Sequence, residues 1–179
     1  MKTLLLIILL IIGLIVSASG ETNVVSNATN ITVVFREPFT LKLHIDKEHY
    51  YEQKFPKIPY VADNNIYLFK GDEFGITLNI QDGAIQSIGY QPDLKKADVV
   101  LKFTEEINSD GDARMTLVIH NHSNQKLLMD ALMTVPGKDA ASKTGILPIG
   151  AGLSNYESWP HPIVQLVLQN IRLKEKPGY

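Results

Sequence analysis

The chain has 179 residues, with 17 basic and 19 acidic side chains, no cysteine and a formal net charge of −2. The basic and acidic residues are nearly balanced, and no stripe of basic residues is present. We therefore do not expect nucleic acid to be a partner. Without cysteine the chain has neither disulfide bonds nor a lipidated cysteine, so its stability must come from a buried core, which a single domain of this length can form.

The N-terminus is typical of a secretory signal peptide. The cation Lys2 precedes an apolar run from Leu4 to Val16, and small residues follow up to Gly20. This run is shorter than the roughly 20 apolar residues that cross a bilayer. We therefore predict a cleaved signal helix over residues 1–20, cut after Ala18 or Gly20. The mature chain would be secreted or periplasmic, with no stable membrane span.

The mature chain is predicted to be one domain. Residues 21–39 form a polar N-terminal arm with a candidate first strand, and residues 40–179 form a single β-sandwich domain. Apolar and polar residues alternate from Thr40 to Ile45, as in a strand with one buried face. The interval Asp46–Asn65 breaks this pattern and contains two prolines, which predicts a long surface connection with a short helical turn. A strand resumes at Ile66–Phe69.

Three hairpins are predicted next, because alternating segments flank short clusters of turn-forming residues. They are Phe74–Ile80 with Ile85–Tyr90 around Asp82-Gly83, Val99–Glu105 with Ala113–Asn121 around Asn108–Asp112, and Met115–Asn121 with Lys126–Val135 around His122–Gln125.

Two segments complete the predicted strands, Ile146–Ile149 and Ile163–Leu173. The second has apolar residues on both faces, which predicts a central position between packed layers. Roughly nine or ten strands without a convincing amphipathic helix indicate an antiparallel β-sandwich of immunoglobulin-like type. A small closed barrel is the alternative.

A pair of histidines offers one candidate metal site. His120 and His122 stand two apart, so their side chains would leave a strand on the same face. With Met115, Met129 and Met133 they could form a copper site, because imidazole and thioether both suit copper. The plainer interpretation is that the methionines fill the core and the histidines lie at a solvated hairpin end.

Three Asn-x-Ser/Thr sequons begin at Asn27, Asn30 and Asn121. The pattern is an acceptor for N-glycosylation. It also arises often by chance, so we interpret these as ordinary polar loop residues.

The segment from Gly145 to Pro162 is the most distinctive part of the chain and holds its single tryptophan. One interpretation is a binding lip formed by Tyr156, Glu157, Trp159 and His161. The other is a rigid crossing between strands, with Trp159 covering one end of the core and Glu157 tied to backbone donors.

No catalytic constellation is evident in the sequence. There is no cysteine nucleophile and no Gly-x-Ser-x-Gly elbow. Glu105 and Glu106 are adjacent, so in a strand they would point to opposite faces and could not share a substrate. We expect a non-catalytic chain without a cofactor.

The Gly145–Pro162 segment, with Leu117–Asn121 and Leu128–Asp130, resembles uncharacterised exported immunoglobulin-like proteins of Gram-negative bacteria. The resemblance covers about Tyr60 to Leu173. It implies a periplasmic or secreted location and no particular activity. Some members have a cysteine where this chain has Ile146 and Leu147, which argues against a redox role.

Two functions remain open at this point. The first is an exported, non-catalytic module that binds a protein or an envelope component. The second is a periplasmic metal-handling domain that holds copper or zinc at His120 and His122.

Overall fold

The computed structural model describes residues 32–174, which are all-β. The signal peptide and the sequons at Asn27 and Asn30 lie outside the described residues. Those described contain no helix long and apolar enough to cross a membrane. Their elements are β1 (Phe39–His44), β2 (Tyr50–Phe55), β3 (Val61–Ala62), β4 (Asn65–Leu68), β5 (Glu73–Gln81), β6 (Ala84–Gln91), a 3₁₀ turn (Leu94–Lys96), β7 (Val99–Ile107), β8 (Ala113–Asn121), β9 (Leu127–Thr134), β10 (Ser142–Thr144), β11 (Ser154–Trp159) and β12 (Gln165–Leu173).

The strands form two five-stranded sheets and a separate β1–β2 pair. Sheet I has the order β10-β9-β12-β4-β3, and sheet II has the order β11-β8-β7-β5-β6. Buried side chains of both sheets belong to one apolar core. Two open sheets around a shared core are consistent with the predicted β-sandwich, and the alternative of a closed barrel is wrong.

Period-two alternation explains how the central strands build this core. In β8, Met115, Leu117 and Ile119 are buried, and the residues between them are partly exposed. In β12, Leu166 and Leu168 are buried in the same way. Strand β12 lies between β9 and β4, so its predicted central position in the sheet is confirmed. The predicted burial of both faces is wrong, because the residues between its buried leucines are only partly buried.

The first two predicted hairpins are confirmed. Strands β5 and β6 are joined by Asp82 and Gly83, whose φ angles of 51° and 75° are those that a type I′ turn needs. Strands β7 and β8 pair over their whole length, from Val99 opposite Asn121 to Ile107 opposite Ala113.

The third predicted hairpin is wrong, because β8 and β9 belong to different sheets. Asn121, whose side chain is 1% exposed, redirects the chain between the sheets. Its amide nitrogen donates to the carbonyl oxygens of Gln125 at 2.8 Å and Gly150 at 2.9 Å. Its amide oxygen accepts from the N–H of Ser123 at 3.1 Å. The sequon asparagine is therefore a buried structural residue and not an ordinary loop residue.

The interval Asp46–Asn65 is not the long connection that its prolines suggest. It contains β2 and β3, and no helical turn precedes Pro56. The prolines lie outside the strands, since Pro56 follows β2 and Pro59 forms only an isolated bridge with Phe35. Strand β2 pairs with β1 alone and has no second strand partner, so proline at its flanks is tolerated.

The prediction of a strand over Ile146–Ile149 is also wrong. Only Ile149 forms a bridge, with Leu127, and the strands of this region are β10 and β11. Both are edge strands of their sheets, so they lack the continuous apolar pattern of a central strand.

Arg36 holds the described part of the N-terminal arm against the domain. Its guanidinium donates to the carbonyl oxygens of Pro59 at 2.8 Å and Tyr67 at 2.6 Å and pairs with the carboxylate of Asp72 at 2.5 Å. It also lies 4.0 Å from the centre of the Tyr60 ring. Because the side chain is buried and fully engaged, the arm is anchored from this residue onward.

The side chain of Asn64 forms hydrogen bonds to the edge strand β6 of sheet II. Asn64 follows Asp63 in the tight turn between β3 and β4, where both residues have positive φ. Its side-chain oxygen accepts from the N–H of Ile88 at 2.9 Å, and its nitrogen donates to the carbonyl of Gln86 at 3.3 Å. The outer edge of β6 is thus occupied by a side-chain amide.

Candidate functional site

The four residues of the predicted binding lip do not converge. Tyr156 and Glu157 are consecutive in β11, so they lie on opposite faces of the strand. Tyr156 is 67% exposed, whereas Trp159 is 7% exposed and belongs to the core. His161 lies beyond the end of β11, in a separate cleft.

Trp159 and Glu157 are both engaged within the protein. The indole packs edge-on against Phe103 with ring centres 6.4 Å apart, and its Nε1 donates to Thr144 Oγ1 at 2.8 Å. The carboxylate of Glu157 accepts from the N–H of Leu147 at 2.7 Å and from the Asn155 amide at 2.8 Å. These contacts fit the rigid crossing better than a shared ligand site.

His161 lines a cleft of about 520 Å³ at the end of sheet II where β7 turns into β8. Ligand pockets commonly have volumes of about 300–1,000 Å³. The apolar part of the lining consists of Ile45, Ile107, Ala113, Pro160 and Pro162, and the polar part of Glu106, Asn108, Asp112, Arg114 and His161.

Two isoleucines are exposed to solvent in the cleft. Ile45 follows β1 and is 40% exposed, and Ile107 ends β7 and is 41% exposed. Beside them, Glu106 lies directly opposite Arg114 in the β7–β8 pair. The cleft thus combines solvent-exposed aliphatic side chains with a cation and carboxylates, the mixture of groups found in binding sites.

The tip of the β7–β8 hairpin is fixed in place at the cleft. Asn108 Oδ1 accepts from the N–H groups of Asp110 at 2.9 Å and Asp112 at 2.8 Å, which closes the turn. Gly111 has a φ of 85°, and a Cβ there would lie 2.0 Å from Lys47 Cγ and 3.1 Å from its Cα. Glycine is required because the β1–β2 loop packs directly on this turn, so one wall of the cleft is held to its neighbour.

The opposite wall is stiffened by two prolines that flank His161. The ring Nδ1 lies 3.2 Å from the carbonyl oxygen of Pro162. Because a carbonyl only accepts, this contact favours Nδ1 as the donor, and in the neutral ring Nε2 is then an acceptor for a ligand.

The predicted histidine pair does share one face. The rings of His120 and His122 have centres 6.5 Å apart and planes inclined by 18°. Met115 points to the opposite, buried face of β8, and Met129 is also in the core. Met133 packs against the core from sheet I, so the structure does not bring these methionines to the histidines.

Near the end of β7 that borders the cleft, the buried carboxylate of Glu105 forms a cluster with His44 and Lys70. The side chain of Glu105 is 1% exposed and accepts from the backbone N–H of His44 at 2.9 Å, from His44 Nδ1 at 2.9 Å and from Lys70 Nζ. Burial raises the pKa of the carboxyl, but the hydrogen bonds from Lys70 and His44 outweigh it, so the pKa lies below its ordinary value. This cluster ties β1 to sheet II.

The chain matches no protein-family model, no curated protein and no solved structure. Function is therefore inferred from the residues themselves.

Sequence reasoning missed most of the cleft and the whole Glu105 cluster. The cleft residues Ile45, Ile107 and His161 are far apart in sequence and carry no common motif. One local signal did exist for Glu105, since it occupies an inward position in the alternation of β7 and would need buried partners there. The prediction that Glu105 and Glu106 face opposite sides is confirmed, because only Glu106 lines the cleft.

Proposed function

We propose that this chain is an exported, non-catalytic β-sandwich protein of immunoglobulin-like type that binds a ligand or partner segment in the cleft beside His161. The observation that carries this proposal is the exposure of Ile45 and Ile107 within a cleft that also presents Arg114. Exposed aliphatic side chains gain most when a ligand covers them. Charged groups at the rim would then orient that ligand.

The chemistry of the lining defines the expected ligand class. An aliphatic or aromatic group would cover the isoleucines, and an anionic or hydrogen-bonding group would reach the guanidinium of Arg114 or Nε2 of His161. A short peptide of a partner protein or a fragment of an envelope component has this combination.

A fragment library tests the proposed cleft. We expect small molecules that pair an apolar group with an anionic group to shift the amide NMR signals of residues 106–108, 112–114, 161 and 163. Replacing Ile107 with serine removes about two methylene equivalents of contact, each worth roughly 0.8 kcal/mol, so the hits should bind at least about tenfold more weakly.

Ile80 provides the matched control, because it is similarly exposed and does not line the cleft. Binding should be unchanged in Ile80→Ser. The proposal is wrong if the hits gather elsewhere on the protein, or if the two serine variants weaken binding equally.

Export is a separate expectation with its own measurement. The signal pattern supports a secreted or periplasmic location, because small residues occupy the positions before each candidate cut. N-terminal sequencing of the secreted protein should find a mature chain that begins at Ser19 or Glu21. An intact Met1 in the membrane fraction would show that the segment is an anchor.

A further inference from the structure

We propose that His120 and His122 chelate a divalent transition-metal ion, Cu²⁺ or Zn²⁺, on the outer face of sheet II. This site is independent of the cleft. His120 lies six residues along β8 from Arg114, about 20 Å away at roughly 3.4 Å per strand residue. Neither proposal therefore depends on the other.

The backbone brings the two imidazoles side by side. Asn121 between them is buried and hydrogen-bonded, which fixes the strand end from which both rings project. The rings are nearly parallel, with centres 6.5 Å apart, and His122 is solvent-exposed. Metal–nitrogen bonds of about 2.0–2.1 Å need the two nitrogens roughly 3 Å apart, so the exposed His122 ring has to turn toward His120 as the ion binds.

Before an ion binds, contacts at Nδ1 favour the tautomer that leaves Nε2 of each ring free. His122 Nδ1 lies 3.2 Å from the carbonyl oxygen of Ala97. This carbonyl can only accept, so the contact favours the proton on Nδ1, and in the neutral ring Nε2 then has its lone pair free. His120 Nδ1 lies 2.6 Å from Ser154 Oγ, which can accept in the same way. Metal-binding histidines usually have such a partner on the second nitrogen, because it sets the tautomer and the ring orientation.

The ligand set selects the metal. In residues 32–174 no three His, Cys, Asp or Glu side chains are grouped to hold an ion, so water would fill the remaining positions. Within residues 32–174, Met115 and Met129 are buried in the core and Met133 packs against it, so none of these thioethers joins the imidazoles. Two imidazoles with water suit Cu²⁺ and Zn²⁺, whereas Cu⁺ prefers sulfur ligands.

Titration of the untagged, secreted full chain with Cu²⁺ tests the site. Calorimetry should find one equivalent bound at about pH 7.4 and a large loss of affinity at about pH 5.5, where protons compete for imidazole. The paramagnetic ion should broaden the amide signals around residues 97, 120–122 and 154. Zn²⁺ should compete for the same site and leave these signals sharp.

Variants distinguish the chelate from single surface histidines. His120→Ala and His122→Ala should each weaken binding at least about tenfold, and Ser154→Ala should do so by roughly 10-fold or more, as for other outer partners of metal ligands. His49→Ala is the matched control, because His49 is an exposed imidazole paired with Asp46 elsewhere. Retained affinity in the His120/His122 double variant, or broadening centred on His49 or His161, would overturn the proposal.

Discussion

Replacing Trp159 with alanine should lower the free energy of unfolding by about 3–5 kcal/mol, the range for large aromatic side chains truncated in cores. The indole is 7% exposed and is the last inward residue of β11, opposite Met115. Its removal leaves a cavity against Phe103 and releases the hydroxyl of Thr144 from its hydrogen bond. Urea unfolding followed by circular dichroism measures the loss.

Tyr156 is the matched control for Trp159, because it is an aromatic residue of the same strand that is 67% exposed. Tyr156→Ala should change stability by no more than about 0.5 kcal/mol. Since Trp159 is the single tryptophan, native emission should also be blue-shifted and poorly quenched by iodide. Two results would contradict the structural role: a red-shifted, readily quenched emission of the native chain, and an unchanged unfolding midpoint for Trp159→Ala. Trp159 would then be a candidate ligand contact again.

Replacing Glu105 with glutamine should cost about 2–3 kcal/mol at neutral pH, since hydrogen bonds to a charged group contribute about 1.5–3 kcal/mol. The amide of glutamine cannot pair with the charge of Lys70, and its N–H₂ group would face donors of His44. The loss of stability should be smaller than for breaking a fully buried ion pair, because Lys70 and His44 are partly exposed and can be hydrated.

The same carboxylate should make stability depend on acidity. Its pKa is lower in the folded chain than its ordinary value of 4.5, because folding surrounds it with donors. The stabilisation is therefore complete above the pKa of the unfolded chain and is lost as the pH falls through the lower folded pKa. Unfolding measured between neutral and strongly acidic pH should show this loss in the native chain.

Glu106 supplies the control for both measurements on Glu105, since it is the adjacent, exposed carboxylate of the same strand. Glu106→Gln should retain both the stability and its acid dependence. If Glu105→Gln retained an acid dependence as steep as that of the native chain, the cluster would not be the source of the effect.

Local chemistry in the sequence was enough to predict the β class and the hairpin at Asp82-Gly83. Positive φ at two consecutive positions is a requirement that those residues meet by themselves. The turn-like cluster after Asn121 has the same local character but a different outcome, because the Asn121 amide bonds to Gly150, 29 residues along the chain. A contact between residues so far apart in the sequence cannot be predicted from the local residues that form the turn.

The strand β2 was missed for a related reason. It belongs to a two-stranded sheet, and only Tyr51 and Phe55 of its six residues are partly buried. A strand that buries so little has no need of alternation, so periodicity cannot reveal it. The candidate cleft was equally hidden, because its walls come from the end of β1, the tip of the β7–β8 hairpin and the segment after β11.

Position 64 carries two independent demands that few amino acids meet together. Its backbone has a φ of 59°, a conformation that glycine, asparagine and aspartate adopt most readily. Its side chain must present one donor and one acceptor to the carbonyl of Gln86 and the N–H of Ile88. Glycine meets the first demand without the second, aspartate lacks the donor, and glutamine has the amide but is not suited to the backbone. Divergent copies of this chain would thus be free to vary the strands beside the turn while asparagine is retained at its centre.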